Sequence, residues 1–330
     1  MKMPCDAKNQ VARWDYTLDD FKSADPVMNM CLRLADLASR TDLPTLILGE
    51  SGTGKTLLAR AIHNSSRRAQ SPFVAFNAAA LSETLLDSQL FGHEKGAFTG
   101  AEQQVKGKFE LAHGGTLFVD EIADMSTVAQ AKILRAIEYG EFERLGSEKL
   151  QRADVRLISA THLPLSKFIV ADRFRKDLFY RISGLTITIP PLRDRPNDLR
   201  SLIAAEILSA SRSQGKTITG LDTKAAQLLF SYHWPGNLRE LKRVIEAAVA
   251  LSHSDVIPVD AVMLEKVEAS PTADSRVSAH PPESNGDRLL KTAERRHIQR
   301  VLTEMTGNKR QTARVLGISR ATLDRKLSSL

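Results

Sequence analysis

The sequence predicts an α/β fold: a parallel sheet with helices on both faces, then a small α-helical domain, a linker and a three-helix terminal module. Three observations lead there. The stretch Gly49-Glu50-Ser51-Gly52-Thr53-Gly54-Lys55-Thr56 fits the phosphate-loop pattern G-x-x-x-x-G-K-[ST] at every fixed position. Short apolar runs alternate with helical patterns from Leu18 to Ile189, as they do where helices bury a parallel sheet. The last 44 residues, Asp287 to Leu330, hold eleven of the 46 Lys/Arg and four of the 39 Asp/Glu. They therefore carry the whole net charge of +7, and the rest of the chain is balanced.

Taken in order, residues 1–16 read as a short leader without an apolar h-region, hence without a secretory signal. No receiver or sensor domain is expected ahead of the sheet. Residues 17–189 form the α/β domain. Its strands are read at 43–48, Pro72–Phe76, Gly115–Val119, Val155–Ala160 and Leu185–Ile189. The first strand runs into the phosphate loop, and Leu57 to His63 behind it has helical apolar spacing. Glycines in such a loop let successive N–H groups turn toward anionic oxygens, and the following helix adds its positive end. Lys55 can reach the β- and γ-phosphates of a nucleotide, and the Thr56 hydroxyl can bind Mg²⁺.

Phe118-Val119-Asp120-Glu121 sets two acids at the end of an apolar strand. Acids there are costly unless they bind a cation or act on water. Asp120 is expected in the Mg²⁺ shell, and Glu121 is expected to orient and deprotonate an attacking water. Together with the loop they predict ATP hydrolysis.

Pro190-Pro191 ends the fifth strand. Residues 190–267 form the small helical domain, with apolar spacing at Leu199, Leu202, Ile203, then Ala225, Leu228, Leu229, then Leu241, Val244, Ile245, Ala248. Residues 268–286 have almost no apolar side chains and read as a flexible linker. Residues 287–330 read as a helix followed by a helix-turn-helix, with Ser319 as N-cap after the turn at Gly317. Ala313, Leu316, Ile318, Leu323 and Leu327 are its expected core. The second helix of such a unit enters the major groove. Arg320, Thr322 and Arg325 are expected to face DNA, with Lys309 and Lys326 nearer phosphates. A basic module on a neutral body is the electrostatic footprint of a nucleic-acid reader.

The apolar fraction of 42% is enough for a sizeable core, yet no apolar run approaches the ~20 residues that span a bilayer. No membrane insertion is expected, and the location is expected to be cytoplasmic. The two cysteines, Cys5 and Cys31, sit in no metal-ligand or C-x-x-C pattern and fit a reducing compartment. Cys31 is expected to be buried and Cys5 exposed.

The hexapeptide Gly96-Ala97-Phe98-Thr99-Gly100-Ala101, with Glu83 to Lys95 before it, resembles the GAFTGA region of the AAA+ activators of sigma-54 RNA polymerase, also called bacterial enhancer-binding proteins. The resemblance runs from about Leu18 to Leu330. It implies an AAA+ P-loop sheet, a helical lid and a Fis-type tail. It also implies a bacterial protein that binds enhancer DNA as a dimer and assembles into a hexameric ring. ATP hydrolysis would then remodel the closed complex of sigma-54 RNA polymerase to an open one. Within that resemblance Gly96 to Ala101 contact sigma-54, chiefly through Phe98 and Thr99, and Glu138 to Gly146 forms a partner loop.

Further positions carry over singly. Thr161 corresponds to the first sensor of the γ-phosphate, and His162 stands where the family usually has Asn. Asn77 corresponds to the residue that pairs with the catalytic glutamate and switches it. Phe174 to Arg181 resembles the arginine-finger segment, with Arg175 and Arg181 reaching a neighbour's nucleotide. Trp234 to Leu241 resembles the second-sensor signature, with Arg239 reaching a phosphate from the lid. Asp324 departs from the tyrosine or basic residue common there; it could accept from a cytosine amino group or be a solvated acid.

Control is expected from outside the chain. It would come from a regulatory protein masking the ATPase surface in trans, a paralogous activator, or expression level. Two other classes compete. A replication initiator would melt DNA without polymerase, and the Gly96–Ala101 loop argues against it. A repressor with ATP as a structural ligand is opposed by Asp120, Glu121, Arg175 and Arg181.

Overall fold

The computed structural model of the 330-residue chain describes residues 16–79, 82–264, 308–315, 318–319 and 322–324. The chain divides into two compact units, Met1–Glu265 and Lys266–Leu330.

In the first unit, helix α1 (Pro26–Ser39) begins with proline at its first turn, where the missing N–H costs nothing. Strand β1 (Thr45–Leu48) leads through the phosphate loop into α2 (Lys55–Asn64). Then follow β2 (Phe73–Asn77), α3 (Glu83–Phe91), the short β3 (Gly92–His93) and β4 (Val105–Lys106), and α4 (Lys108–Leu111). Next come β5 (Thr116–Asp120), α5 (Thr127–Tyr139), β6 (Glu141–Glu143), β7 (Leu150–Arg152), β8 (Arg156–Thr161), α6 (Leu165–Val170), α7 (Lys176–Ile182) and β9 (Leu185–Thr188).

All five predicted strands form one parallel sheet in the order β2-β5-β8-β1-β9. Their residues alternate between two cores. Leu46, Leu117, Val119 and Leu157 face the layer that contains α3, α5 and α7. Ile47, Phe118, Ile158 and Ile187 face α1 and α2. Each such side chain contributes about 1.5–3 kcal/mol by leaving water. A strand that is apolar at every position therefore needs cover on both faces, and the helices supply it. Cys31 is buried in the α1 layer, as expected; Cys5 lies outside the described residues.

The helical part adds α8 (Pro196–Gln214), β10 (Gly220–Leu221), α9 (Thr223–Ser231), α10 (Asn237–Leu251) and β11 (Val256–Ile257). Its own core gathers Leu199, Ile203, Leu229, Leu241, Val244 and Ile245 around the fully buried Trp234. Asp25 and Asp198 tie it to the entry of α1: Asp198 N–H donates to Asp25, and Ala24 N–H donates to Asp198, each at 2.8 Å. Among the described residues no helix is long and apolar enough to cross a membrane.

In the second unit, a helix covers Lys309–Val315. Ser319 caps the next one by accepting from Thr322 N–H at 3.1 Å, and Ala313, Leu323 and Ile318 pack together. Leu316, Gly317 and Leu327 lie outside the described residues, as do the leader and the linker.

Candidate active site

The carboxyl ends of β1, β5 and β8 converge at the phosphate loop. Gly52 and Gly54 adopt positive φ of 79° and 100°, which turns the loop back over the start of α2. The buried Lys55 lies along the loop, its Nζ donating to the Gly49 and Glu50 carbonyls at 2.9 and 3.3 Å. Thr56 Oγ1 lies 3.4 Å from Asp120 Oδ2. A hydroxyl and a carboxylate side by side at the mouth of a phosphate loop make the hard oxygen donor set that Mg²⁺ takes. Burial and the neighbouring Glu121 charge raise the Asp120 pKa above the usual carboxylate value, and a bound cation would reverse that.

Glu121 itself is held in the left-handed region at φ 52°. Its Oε1 lies 3.7 Å from Lys55 Nζ. Its Oε2 accepts from the His162 backbone N–H at 3.2 Å and from the His162 ring at 2.8 Å. Burial opposes the charge, but the His162 donors and the Lys55 ammonium outweigh it and hold the carboxyl below its usual range.

Two expected partners are engaged elsewhere. Asn77 is exposed and accepts from Ala79 N–H at 2.8 Å, and among the described residues no hydrogen bond joins it to Glu121. Thr161 is fully buried and its hydroxyl accepts from Leu163 N–H at 3.0 Å. The strand ends are nonetheless adjacent, since Asn77 pairs in register with Asp120 and Thr161 with Leu48.

The lid grips the loop from the other side. Arg239 donates to Ser51 Oγ at 2.9 Å. Leu238 N–H donates to the Gly52 carbonyl at 3.0 Å. Glu50 receives a two-pronged contact from Arg193 at 2.6 and 2.8 Å and a third from the Asn237 amide at 3.2 Å. The Arg193 hydrogen bonds pull the Glu50 carboxyl below its usual range. Sequence reasoning missed Arg193 and the amide of Asn237. The signal was an acid inside an anion-binding loop, which needs a cation close by.

Arg175 caps the start of α7, Arg181 lies in its last turn, and both are exposed. Arg175 forks onto Asp177 at 2.7 and 3.1 Å, and Arg181 donates to the Ile137 carbonyl at 3.2 Å.

The segment Gly96–Ala101 closes on itself, Gly96 N–H donating to the Ala101 carbonyl at 2.8 Å. Thr99 is exposed, whereas Phe98 is half-buried with its ring edge-on to His93 at 5.0 Å. The Phe98 side chain is therefore folded against His93 and does not stand clear of the loop. The neighbouring segment Glu138 to Gly146, which includes the end of α5 and β6, touches its base. Glu94 N–H donates to the Leu145 carbonyl, and Arg144 bridges Glu94 and Glu110 at 2.9 and 2.7 Å. In the second unit Thr322 is half-buried, and Lys309 pairs with Asp324 at 2.9 Å. Arg320, Arg325 and Lys326 lie outside the described residues.

Comparison with known families matches residues 21–188 to the sigma-54 interaction domain, 193–279 to an AAA+ ATPase lid domain and 289–330 to a bacterial regulatory protein domain of the Fis family. The chain is 44% identical over 303 residues to the transcriptional regulatory protein ZraR of Klebsiella oxytoca, covering 92% of this chain and 67% of that protein. It is 42% identical over 316 residues to the regulatory protein AtoC of Escherichia coli K12, covering 96% and 68%. Crystal structures of NtrX from Brucella abortus with ADP and with ATP superpose with TM-scores of 0.68 at 30% and 31% identity. They cover 94% of this chain, and 68% and 69% of theirs.

Proposed function

We propose, from the premise that this chain belongs to the family of sigma-54-dependent transcriptional activators, that it hydrolyses ATP at Gly49–Thr56 and drives sigma-54 RNA polymerase through Gly96–Ala101. The chain combines a sigma-54 interaction domain of the AAA+ class, which binds nucleotide, with a Fis-type DNA-binding domain. The observation that carries the hydrolytic reading is the meeting of Lys55, Thr56, Asp120 and Glu121 within hydrogen-bonding or ion-pairing reach at the strand ends.

In this reading the N–H groups of Gly52 to Lys55 bind the phosphates and Lys55 offsets their charge. Thr56 and Asp120 hold Mg²⁺, which when bound stabilises charge on the phosphate oxygens. Glu121 orients water and takes its proton as the oxygen attacks the γ-phosphorus. The bond to the β-phosphate oxygen breaks, leaving ADP and phosphate. Thr161 senses the γ-phosphate from the end of β8, and Asn77, at the end of β2, turns from Ala79 to pair with Glu121 and switch it. Arg239 moves from Ser51 to a phosphate and so couples lid angle to hydrolysis.

Arg175 and Arg181 act on the neighbouring subunit's nucleotide in a hexameric ring. Their permanent charge suits them to that task once Asp177 and the Ile137 carbonyl are released. Phe98 lifts from His93 and presents Thr99 to sigma-54, with Gly96 and Gly100 as hinges. The partner loop, Glu138 to Gly146, follows through Arg144. Lys309, Arg320, Thr322, Arg325 and Lys326 anchor a dimer on enhancer DNA. The setting is the bacterial cytoplasm.

The test is a purified system containing sigma-54 RNA polymerase, an enhancer-bearing promoter and ATP with Mg²⁺. The wild-type chain is expected to yield heparin-resistant open complexes, and Lys55→Ala none. Open complexes formed equally well with Lys55→Ala would overturn the reading.

A further inference from the structure

The acceptor that must take a proton from water is Glu121, and one residue holds its carboxylate in place. Oε1 faces the Lys55 ammonium at 3.7 Å, and Oε2 accepts two N–H donors from one residue, His162. A carboxylate can only accept, so the ring must donate through Nδ1. The two donors differ in kind. The backbone N–H belongs to the first residue after β8 and cannot leave without moving the strand end. The ring is 41% exposed and can swing away by rotating its own torsions. Asn77, the residue expected to hold this carboxylate, is instead turned to Ala79 N–H.

We propose that the His162 side chain is a latch on Glu121, a positioning residue that holds the carboxylate away from water activation and must release it before each hydrolysis step. The proposal rests on reading Glu121 as the catalytic base. It follows from occupancy: Oε2 already accepts two hydrogen bonds, both charge-assisted by the anion, and has no direction left for a water proton until one of them is withdrawn. The backbone N–H alone then suffices to orient the carboxylate. A ring at this place, rather than a strand-end group, makes the hold removable.

The test uses the full chain in steady-state ATPase assays without polymerase. His162→Ala is expected to raise kcat about five-fold, the equivalent of about 1 kcal/mol off the barrier at 1.36 kcal/mol per decade, with KM within about two-fold of wild type. His162→Asn sets an amide N–H where Nδ1 now sits and is expected to behave as wild type. A kcat for His162→Ala equal to or below wild type would overturn the latch, and so would His162→Asn rising as far as His162→Ala. A second readout is independent of turnover. In ¹⁵N-histidine NMR the wild-type His162 ring is expected as the Nδ1–H tautomer, reverting to the ordinary mixture in Glu121→Ala; an unchanged tautomer there would also overturn it. Glu121→Gln is expected to abolish hydrolysis. Survival of hydrolysis in that variant would overturn the reading of Glu121 as base, whatever the His162 variants do.

Discussion

Asn237→Ala should uncouple the lid from the phosphate loop, and its cost follows from the contacts of one amide. Asn237 Oδ1 accepts from the buried Leu192 N–H at 2.7 Å, and Nδ2 donates to Ser51 O at 3.1 Å and Glu50 Oε2 at 3.2 Å. Truncation leaves the Leu192 donor buried without a partner, which costs about 1–3 kcal/mol, and the two lost donations add about 1 kcal/mol each. Asn237 also sits at φ 49°, a conformation that Asn tolerates better than Ala. The expected loss is about 4 kcal/mol. Asn237→Gly relieves the backbone but restores none of the lost contacts, so it should recover about 1 kcal/mol of that. Urea unfolding followed by fluorescence of Trp234, buried in the lid core, reads the loss. Calorimetric titration with ATP reads the coupling, and affinity is expected to fall alongside stability. An Asn237→Ala stability within about 0.5 kcal/mol of wild type would refute the view that this amide ties lid to loop.

Two further predictions rest on single positions. A Cβ on Gly52 would lie 2.2 Å from the Gly236 carbonyl oxygen, and φ there is 79°. Gly52→Ala is therefore expected to weaken ATP binding by more than about ten-fold, since the lid must shift by backbone rather than by side chain; unchanged affinity in calorimetry would contradict this. His63 is buried against Phe73 and bonded to Thr116, and burial pushes its pKa down from 6.5 to about 4. With the folded pKa below the unfolded one, its contribution is fully present above about pH 6.5 and is lost as pH falls toward 4. The stability gap between wild type and His63→Gln should shrink by about 2 kcal/mol from about pH 7.5 to about pH 5 in urea titrations. A gap independent of pH would contradict it.

The sheet was legible because each strand is a short run of apolar residues bounded by proline, glycine or charge, a local pattern. Boundaries moved by one or two residues where strands run on to pair their polar ends, as Asn77 does with Asp120. The order β2-β5-β8-β1-β9 was not legible, because apolar strands buried on both faces do not encode their neighbours. At the site, Lys55, Thr56, Asp120 and Glu121 were readable from spacing that fixes them on one strand-loop-helix unit and one strand end. Arg193 on Glu50 was not, since 143 residues separate them and only the fold brings them together. His162 was visible as a departure, but its grip on Glu121 depends on β8 ending beside β5. Phe98 showed its residue type and not its posture, which His93 decides.

The central claim, that hydrolysis here is harnessed to sigma-54 through Gly96–Ala101, meets its most direct test in Thr99→Ala. Thr99 is exposed, and the hydrogen bonds that close its loop run through backbone groups, so the substitution leaves the ATP site untouched. ATPase rate and heparin-resistant open complexes are measured on the same preparation. Wild-type hydrolysis with no open complexes is the predicted result. Open complexes at the wild-type level would contradict the claim.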